Sequence, residues 1–312
     1  MTRRRLLAVA ALTAAGLVLA GCSDGGGSYQ PKGDVTPFRY HPPMPAGSGP
    51  VVVAVGDMVC VPGSRVTVKR CRDADAADLA RDYRPDYLLA LGDEQYGDDG
   101  LADYRKGYAK TWGKLRSITK PVPGNHQYDV PGYFEYFRQQ TRPPGYFAFD
   151  VKKWRIYAIN DNCTKIDCDA ELDWLEQDMA ANPRRCSAIV LHHPLFASGV
   201  TTASGSDVAR PFWRVALGHG ADLALGGHLH QYERFRPMLL DGRPSPRGMT
   251  QLVAGVGGAS VRPLIEGRAR GSEAFDNSSA GVLALRLNAK DFSWRYRTVD
   301  GFNIDVGRQA CH

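Results

Sequence analysis

The sequence predicts an α/β domain, because continuous apolar runs alternate with helical patterns and most of the runs end beside a polar side chain. Apolar runs without alternation are typical of strands buried on both faces. Four such runs lead into a candidate metal ligand: residues 51–55 before Asp57, 87–91 before Asp93, 187–191 before His192, and 222–225 before His228. Polar residues at the carboxyl ends of strands are typical of the binding crevice in such a sheet.

The clearest helical pattern covers residues 170–181, where Leu172, Leu175 and Met179 recur on one face. Asp169 is its predicted N-cap. Three later apolar runs have no helical pattern between them: residues 251–256, 281–287 and 292–296. We expect these later runs to form antiparallel strands of a second sheet that packs against the first.

Composition limits the class of protein. The chain has 312 residues, of which 43% are hydrophobic, enough for one large single-core domain. Its formal net charge of +6 falls to +3 if residues 1–21, which carry three arginines and no acid, are removed. No basic face interleaved with aromatic residues is evident, so the sequence gives no support for nucleic-acid binding.

The first 21 residues have the pattern of a signal peptide: three arginines, an apolar run from Leu6 to Ala20, and small residues before Cys22. The string Leu19-Ala20-Gly21-Cys22 resembles a bacterial lipoprotein box, which implies cleavage before Cys22 and acylation of its thiol. An uncleaved anchor and an ordinary signal peptide are the alternatives. The sequence does not decide between general and twin-arginine export.

Residues 22–50 are rich in glycine and proline and predict a flexible tether, which leaves residues 51–312 for the folded domain. We therefore expect an exported protein that is held at the extracytoplasmic face of a bacterial cell membrane through its lipid alone.

Seven cysteines become six once Cys22 carries lipid, and an even number in an exported chain predicts disulfides. Sequence alone allows fifteen connectivities for six cysteines. Proximity favours Cys60 with Cys71 and Cys163 with Cys168, which leaves Cys186 for Cys311. No Cys-x-x-Cys pair is present, so a thiolate zinc site is not expected.

Five short strings carry the chemistry. In order they are Asp57, Gly92-Asp93-Glu94-Gln95-Tyr96, Gly124-Asn125-His126, His192-His193-Pro194 and Gly227-His228-Leu229-His230. Together they resemble the calcineurin-like metallophosphoesterase superfamily and, within it, the purple acid phosphatase branch. The resemblance extends from Asp57 to about Phe235 and implies a four-layer α/β/β/α sandwich.

The resemblance also implies a site for two metal ions. One ion would be held by Asp57, Asp93, Tyr96 and His230. The other would be held by Asn125, His192, His228 and the same Asp93. A carboxylate has two oxygens and about four lone-pair positions, so Asp93 is able to bridge two ions roughly 3.5–4 Å apart.

Tyr96 indicates which metal is expected. Many relatives outside the purple branch carry a histidine two positions after the first aspartate, whereas this chain has Val59 there. A phenol has a pKa of about 10 and binds as phenolate only to a strong Lewis acid. Fe(III) is therefore expected at the first position, the one that includes Tyr96. Two imidazoles and an amide oxygen at the second position suit Fe(II), Zn(II) or Mn(II).

His126 follows a candidate ligand and, by the resemblance, hydrogen-bonds the substrate and protonates the leaving oxygen. Either His192 or His193 could be the ligand of its string, and the family pattern favours His192, two positions before the proline. Relatives often have an acid where this chain has Gln127. No histidine occurs in residues 195–205, so the substrate preference of relatives with extra imidazoles there does not transfer.

The sequence thus predicts an exported metal-dependent phosphoesterase that hydrolyses monoesters of phosphorylated small molecules, with water activated by two ions as the nucleophile. Two alternatives remain open. One is a phosphodiesterase that acts on cyclic nucleotides or lipid head groups at the same site. The other is a surface lipoprotein that binds phosphate compounds without catalysis.

Overall fold

The structure is a computed structural model that describes residues 42–98, 100–128, 132–199, 206–263 and 267–312. The predicted signal peptide, the lipidation candidate Cys22 and most of the predicted tether lie outside these ranges. Within them, no helix combines the length and the apolar character needed to cross a bilayer.

Strands and helices alternate through most of the described chain, and strands dominate its C-terminal part. The strands are β1 (Val51–Val55), β2 (Tyr87–Ala90), β3 (Thr119–Pro121), β4 (Phe147–Val151), β5 (Trp154–Ala158), β6 (Cys186–Val190), β7 (Leu223–Gly226), β8 (Tyr232–Met238), β9 (Met249–Ala254), β10 (Ser272–Asp276), β11 (Gly281–Leu287), β12 (Asp291–Thr298) and β13 (Asn303–Ala310). The α-helices are α1 (Asp73–Asp82), α2 (Leu101–Lys106), α3 (Tyr133–Tyr136), α4 (Cys168–Ala181) and α5 (Ser206–Gly218). Short 3₁₀ helices span Tyr108–Lys110, Trp112–Ile118 and Asn125–Gln127.

The strands form two mixed sheets. The six-stranded sheet has the order β13-β12-β11-β1-β2-β3, with β1, β2 and β3 parallel and β11 antiparallel to β1. The seven-stranded sheet has the order β10-β8-β9-β7-β6-β5-β4, in which β5, β6, β7 and β9 run parallel. The prediction of an α/β fold with two sheets is confirmed.

The prediction of which runs share a sheet is wrong in part: β11 and β12 are antiparallel neighbours as expected, but they do not form a sheet separate from β1. The structure places β1 and β2 in the six-stranded sheet but β6 and β7 in the seven-stranded one. Of the later runs, β9 lies parallel to β7, whereas β11 and β12 extend the sheet of β1. A strand buried on both faces has the same apolar sequence whichever sheet it enters, so the pattern does not identify its neighbours.

Three hydrophobic layers hold the sheets and helices together. In β1, Val52 and Ala54 face the second sheet, while Val53 and Val55 pack toward α1 on the outer side. Helices α4 and α5 cover the outer face of the seven-stranded sheet, where they pack on Ile189. The layers therefore lie in the order α/β/β/α. Full burial of one valine in such a layer contributes about 1.5–3 kcal/mol to stability.

Helix α4 begins two residues before its predicted start. Oδ1 of Asp167 accepts a hydrogen bond from the backbone N–H of Ala170 at 3.1 Å, so Asp167 is the N-cap and the prediction of Asp169 is wrong. Asp167 and Asp169 stand close together where this helix begins, and only the backbone conformation decides which one caps it.

The described residues contain three disulfides, Cys60–Cys71, Cys163–Cys168 and Cys186–Cys311. This is the pairing that proximity in the sequence favours. Cys186 is the first residue of β6 and Cys311 directly follows β13, so the third bond joins the two sheets.

The folded domain extends further toward the N-terminus than predicted. The guanidinium of Arg286 in β11 donates to the carbonyls of Pro45 at 3.1 Å and Gly49 at 2.8 Å. Met44 packs against the outer core of the six-stranded sheet. Residues 42–50, assigned by the sequence to the tether, therefore lie against the domain, and a flexible tether remains a prediction for residues 22–41.

Candidate metal centre

The candidate ligands gather where strands of both sheets end. Asp57 follows β1 and Asp93 follows β2 in one sheet, while His192 follows β6 and His228 follows β7 in the other. Parallel strands bring their carboxyl ends to one edge of a sheet. The two edges meet, because Nε2 of His192 lies 3.4 Å from Oδ2 of Asp93.

Four atoms from Asp57, Asp93, Tyr96 and His230 form what we name the first donor group. The hydroxyl of Tyr96 lies 2.9 Å from Oδ1 of Asp57, 3.0 Å from Oδ2 of Asp93 and 3.1 Å from Nε2 of His230. The same Nε2 lies 3.0 Å from Oδ1 of Asp57. Donors that share an ion at about 2.0–2.2 Å lie roughly 3 Å from one another, so this spacing fits one cation.

The second donor group comprises Oδ2 of Asp93, Oδ1 of Asn125, Nε2 of His192 and Nδ1 of His228. Nε2 of His192 lies 3.1 Å from the Asn125 oxygen, 3.3 Å from Nδ1 of His228 and 3.4 Å from the Asp93 oxygen. Oδ2 of Asp93 therefore belongs to both groups. The structure thus brings together all seven side chains that the resemblance assigns to metal ions.

Backbone donors occupy the other oxygen of each carboxylate. Oδ2 of Asp57 accepts from the N–H of His228 at 2.7 Å. Oδ1 of Asp93 accepts from the N–H of His126 at 3.1 Å. With one oxygen fixed in this way, each carboxylate presents its remaining oxygen to the donor groups in a defined direction.

Two imidazoles are oriented by the nitrogen that faces away from the donor groups. Nδ1 of His192 lies 2.8 Å from the carbonyl of Leu91, and Nδ1 of His230 lies 2.6 Å from Oγ of Ser260. A carbonyl only accepts, so Nδ1 of His192 carries a proton, and the neutral form of the ring presents the lone pair of Nε2 to a cation.

Three candidate ligands occupy left-handed backbone, with φ of 56° at Asp57, 51° at Asp93 and 65° at His228. Such conformations are costly outside glycine and tend to occur at functional sites. Two glycines make the close packing possible. A Cβ at Gly92 would lie 2.3 Å from Nδ1 of His192, and one at Gly124 would lie 2.2 Å from Oδ1 of Asp93.

Gln127, where relatives often have an acid, supports the site from behind. Its Oε1 accepts from the N–H of Asp93 at 2.9 Å and from the N–H of Gly124 at 2.6 Å. The side chain thus joins two of the short strings through their backbones. An acid would offer the same acceptor but would add a buried negative charge beside Asp93.

The first donor group is anionic. Burial works to raise the pKa of the two carboxyls, but the imidazole of His230 beside Asp57 and that of His192 beside Asp93 outweigh it and hold both pKa values below the ordinary range. Burial and the same two carboxylates raise the pKa of the Tyr96 phenol. Within the described residues no lysine or arginine pairs with either carboxylate. A cation would add positive charge beside the phenol of Tyr96 and favour the phenolate.

The imidazoles of the second donor group shift in opposite directions. Burial lowers the pKa of His228 to about 3, helped by the imidazoles of His192 and His193. Burial also acts on His192, but the carboxylates of Asp93 and Asp57 outweigh it and raise the pKa to about 10. Metal ligation requires neutral imidazole, so binding at His192 would release a proton.

Of the two adjacent histidines, His192 belongs to the second donor group, whereas His193 lies beside it, with ligand atoms of His192, His193 and His228 within 4.8 Å of one another. His193 turns to Asp161, whose carboxylate lies 3.1 Å from Nδ1 of His193 and accepts its backbone N–H at 2.8 Å. The His193 ring still lies near the site, since its centroid is 4.3 Å from that of His228.

His126 stands at the mouth of the site. Its side chain is exposed, and its ring centroid lies 4.8 Å from that of Tyr96. A cleft of about 360 Å³ opens there, and its walls include Tyr96, His126 and His230. The imidazole is thus accessible to a molecule that reaches the donor groups from this cleft.

Sequence reasoning missed other residues that line the same cleft. They are Arg70, Ser260 and Arg262. Arg70 is adjacent to Cys71, whose predicted disulfide with Cys60 would have placed Arg70 near Asp57. Ser260 and Arg262 are brought there by tertiary contacts alone.

Comparisons with known proteins agree with this geometry. Residues 50–232, more than half of the chain, match the family model described as calcineurin-like phosphoesterase. Purple acid phosphatase 22 of Arabidopsis thaliana is 25% identical over 118 residues, which span 36% of this chain and 27% of that protein.

Two solved structures share the fold. Purple acid phosphatase PPD1 from yellow lupin (Lupinus luteus) seeds is similar with a TM-score of 0.65 and 18% identity, over 86% of this chain and 55% of that one. GAP50, the anchor in the inner membrane complex of Plasmodium, is similar with a TM-score of 0.62 and 15% identity, over 84% and 89% of the chains. The arrangement of the two sheets, the donor atoms at their edges and the family match lead to one assignment. The chain belongs to the calcineurin-like phosphoesterase family.

Proposed function

We propose that this protein hydrolyses phosphate monoesters at a centre of two metal ions. One observation carries the proposal: a single oxygen, Oδ2 of Asp93, belongs to both donor groups, 3.0 Å from the hydroxyl of Tyr96 and 3.4 Å from Nε2 of His192. An oxygen shared by two sets of donors is the arrangement that two adjacent cations require, because the shared anion reduces their repulsion.

The donor atoms suggest which ions fit. Two carboxylates, a phenol and one imidazole suit Fe(III) in the first donor group, and two imidazoles with an amide oxygen suit Fe(II), Zn(II) or Mn(II) in the second. When bound, such ions supply Lewis acidity that draws charge from a phosphate group and makes a water molecule more acidic.

The residues of the chain orient the reaction. Asp57 and Asp93 are held by the backbone N–H groups of His228 and His126, so the donor groups keep their shape when substrate enters. The exposed imidazole of His126 faces the cleft, where it would hydrogen-bond a phosphate oxygen and give a proton to the leaving alcohol.

Likeness of fold does not separate a hydrolase from a binding protein, since the structural neighbour GAP50 is described as an anchor. The site of this chain favours the hydrolase. A complete set of donors lies beside His126, and a protein that only binds phosphate has no use for a proton donor. Tyr96, together with valine at position 59, supports a monoesterase over a diesterase, by likeness to the purple acid phosphatases.

The proposal includes export and a lipid anchor at Cys22. Its support is the string Leu19-Ala20-Gly21-Cys22 and the three disulfides, since such bonds persist in oxidising compartments.

The test is a substrate panel on the purified full chain after loading with Fe(III) and Zn(II), with metal content measured on the same sample. We expect turnover of 4-nitrophenyl phosphate with a kcat/KM above that for bis(4-nitrophenyl) phosphate and cyclic AMP. The variant Asp93→Asn is the control and should lose both metal and turnover. A higher kcat/KM for the diesters would favour the diesterase. Two metals per chain without turnover of any ester would favour the binding protein.

A further inference from the structure

A loop closed by the Cys60–Cys71 disulfide brings Arg70 to the cleft beside the first donor group. Arg70 forms an antiparallel bridge with Ser260, and the N–H of Cys71 donates to the carbonyl of Ala259 at 3.1 Å. The hydroxyl of Ser260 in turn lies 2.6 Å from Nδ1 of the candidate ligand His230. The backbone of Arg70 is thus fixed relative to the donor groups.

Arg262 reaches the same cleft from the chain that follows Ser260. Its N–H donates to the carbonyl of His230 at 3.1 Å, and its carbonyl accepts from Nδ2 of Asn277 at 2.7 Å. The backbone of Arg262 is therefore tied directly to that of a candidate ligand.

The side chains of both arginines are exposed, and neither makes an ion pair or a side-chain hydrogen bond within the described residues. Other arginines of the chain do pair, such as Arg72 with Asp75 and Arg234 with Asp305. No carboxylate is among the described residues that line the cleft. Among the described residues, two positive charges without a paired carboxylate thus border the approach to the donor groups.

We propose that Arg70 and Arg262 bind a second anionic group, a phosphate or a carboxylate, in the alcohol part of the substrate. Guanidinium groups match both anions with paired hydrogen bonds. The donor groups and His126 account for the phosphate that is cleaved, so the two arginines that line the same cleft are left for a separate anion. This inference rests on the proposed phosphatase activity and specifies the class of ester that it prefers.

The experiment compares substrates that differ by one charged group: phenyl phosphate, 4-carboxyphenyl phosphate and 1,4-phenylene bisphosphate. The variants are Arg70→Gln, Arg262→Gln and the double variant, in the metal-loaded full chain. The wild type should prefer one doubly anionic ester over phenyl phosphate, and the ratio of the two kcat/KM values should fall about tenfold or more in the double variant. Which ester responds distinguishes a carboxylate from a phosphate.

Arg65→Gln is the matched control, because Arg65 is exposed on the same disulfide loop but does not line the cleft. It should leave the ratio unchanged. Arg70→Lys with Arg262→Lys keeps the charge but loses the paired geometry, and should restore the ratio only in part.

An unchanged ratio in the double variant overturns the inference, as does an equal loss for phenyl phosphate, which would place the arginines on the cleaved phosphate. If Arg65→Gln lowers the ratio as much as the double variant does, the preference comes from general attraction by positive charge, and the inference of a specific site is overturned. Calorimetry with phenylphosphonate, 4-carboxyphenylphosphonate and 1,4-phenylenediphosphonate measures the same preference without turnover. Arginine-dependent binding by an inactive protein would therefore contradict the proposed activity alone.

Discussion

The carboxylate of Asp57 accepts the backbone N–H of His228 at 2.7 Å, although 171 residues separate them along the chain. The two residues lie at the ends of strands in different sheets, and both occupy left-handed backbone. One side chain thus offers a donor atom to the first donor group and positions the backbone of a member of the second.

Asp57→Asn should therefore weaken both donor groups. The amide has one oxygen, which can serve either the first donor group or the N–H of His228, but not both. Its NH₂ group must then face the other of the two, and neither an N–H nor a cation can accept a hydrogen bond. We expect fewer than two metals per chain by elemental analysis. Asp86→Asn is the matched control, since Asp86 accepts the N–H of Val51 at the far end of β1. Full metal content in Asp57→Asn would contradict this dual role.

Tyr96→Phe should abolish the visible colour of the iron-loaded protein. Phenolate bound to Fe(III) gives a charge-transfer band, whereas removal of the hydroxyl leaves the packing of the ring in place. The measurement is the visible spectrum after loading with iron. Tyr128→Phe, which removes a hydroxyl that contacts Asn160 rather than the donor groups, should keep the band. A colourless wild type, or colour that survives Tyr96→Phe, would exclude the phenolate.

Asn125 and His126 are adjacent but should have separable effects. Asn125→Ala removes an oxygen of the second donor group and should lower metal occupancy there. His126→Ala should keep both metals and reduce turnover roughly 10²–10⁴-fold, the usual range for an acid–base group. Metal analysis and turnover on the same samples distinguish the two. Loss of metal from His126→Ala would show that its assigned role is wrong.

Glu171→Gln should change how stability depends on pH. Burial raises the pKa of Glu171 from 4.5 to about 9, and the nearby Asp161 adds to this although the N–H of Asn160 opposes it. Between these two values the folded state keeps a proton that the unfolded state has released, so the free energy of unfolding should fall as pH rises from about 5 to 9.

The amide stays neutral, so Glu171→Gln should flatten this slope and add more than about 1 kcal/mol at pH 8. Urea unfolding at pH 5 and pH 8 measures the effect. Asp173→Asn, an exposed site on the same helix, should preserve the wild-type slope. A slope equal to that of the wild type in Glu171→Gln would mean that the carboxyl ionises freely in the folded protein.

Cys22→Ser should release the protein from the membrane fraction or block its processing, because the proposed lipid has no other attachment point. Fractionation of cells that express the full chain measures both outcomes. Cys60→Ser serves as a control for the loss of a cysteine as such. Membrane retention with normal processing in Cys22→Ser would rule out the lipid anchor.

The sequence predicted single strands better than their partners. The bounds of β1 and β11 match the predicted runs, since each is a continuous apolar segment with a sharp polar end. Sheet membership was not predictable in the same way. The pairing of β1 with β11 depends on contacts between residues more than 200 positions apart, which a local pattern does not contain.

The residues of the site show the same difference between local sequence pattern and long-range contact. Tyr96 and His230 were predicted as ligands because short strings carry them at fixed positions. Gln127 was noted only as a departure, although it bridges the backbones of two strings. Arg262 has no local signature, because the contacts that place it exist only in the folded chain. Arg70 lies beside Cys71 of a predicted disulfide, but its bridge to Ser260 was not visible in the sequence.

Because the candidate ligands come from both sheets, any bound ions would hold the two sheets together. Ions that bind only the assembled edges oppose separation of the sheets by mass action, much as a bound ligand stabilises a native state. At another place the Cys186–Cys311 bond joins the same two sheets covalently. Reduction and chelation should therefore act together, because after either one the other link still holds the two sheets. Resistance to proteases would then depend on both the redox state and the metal supply.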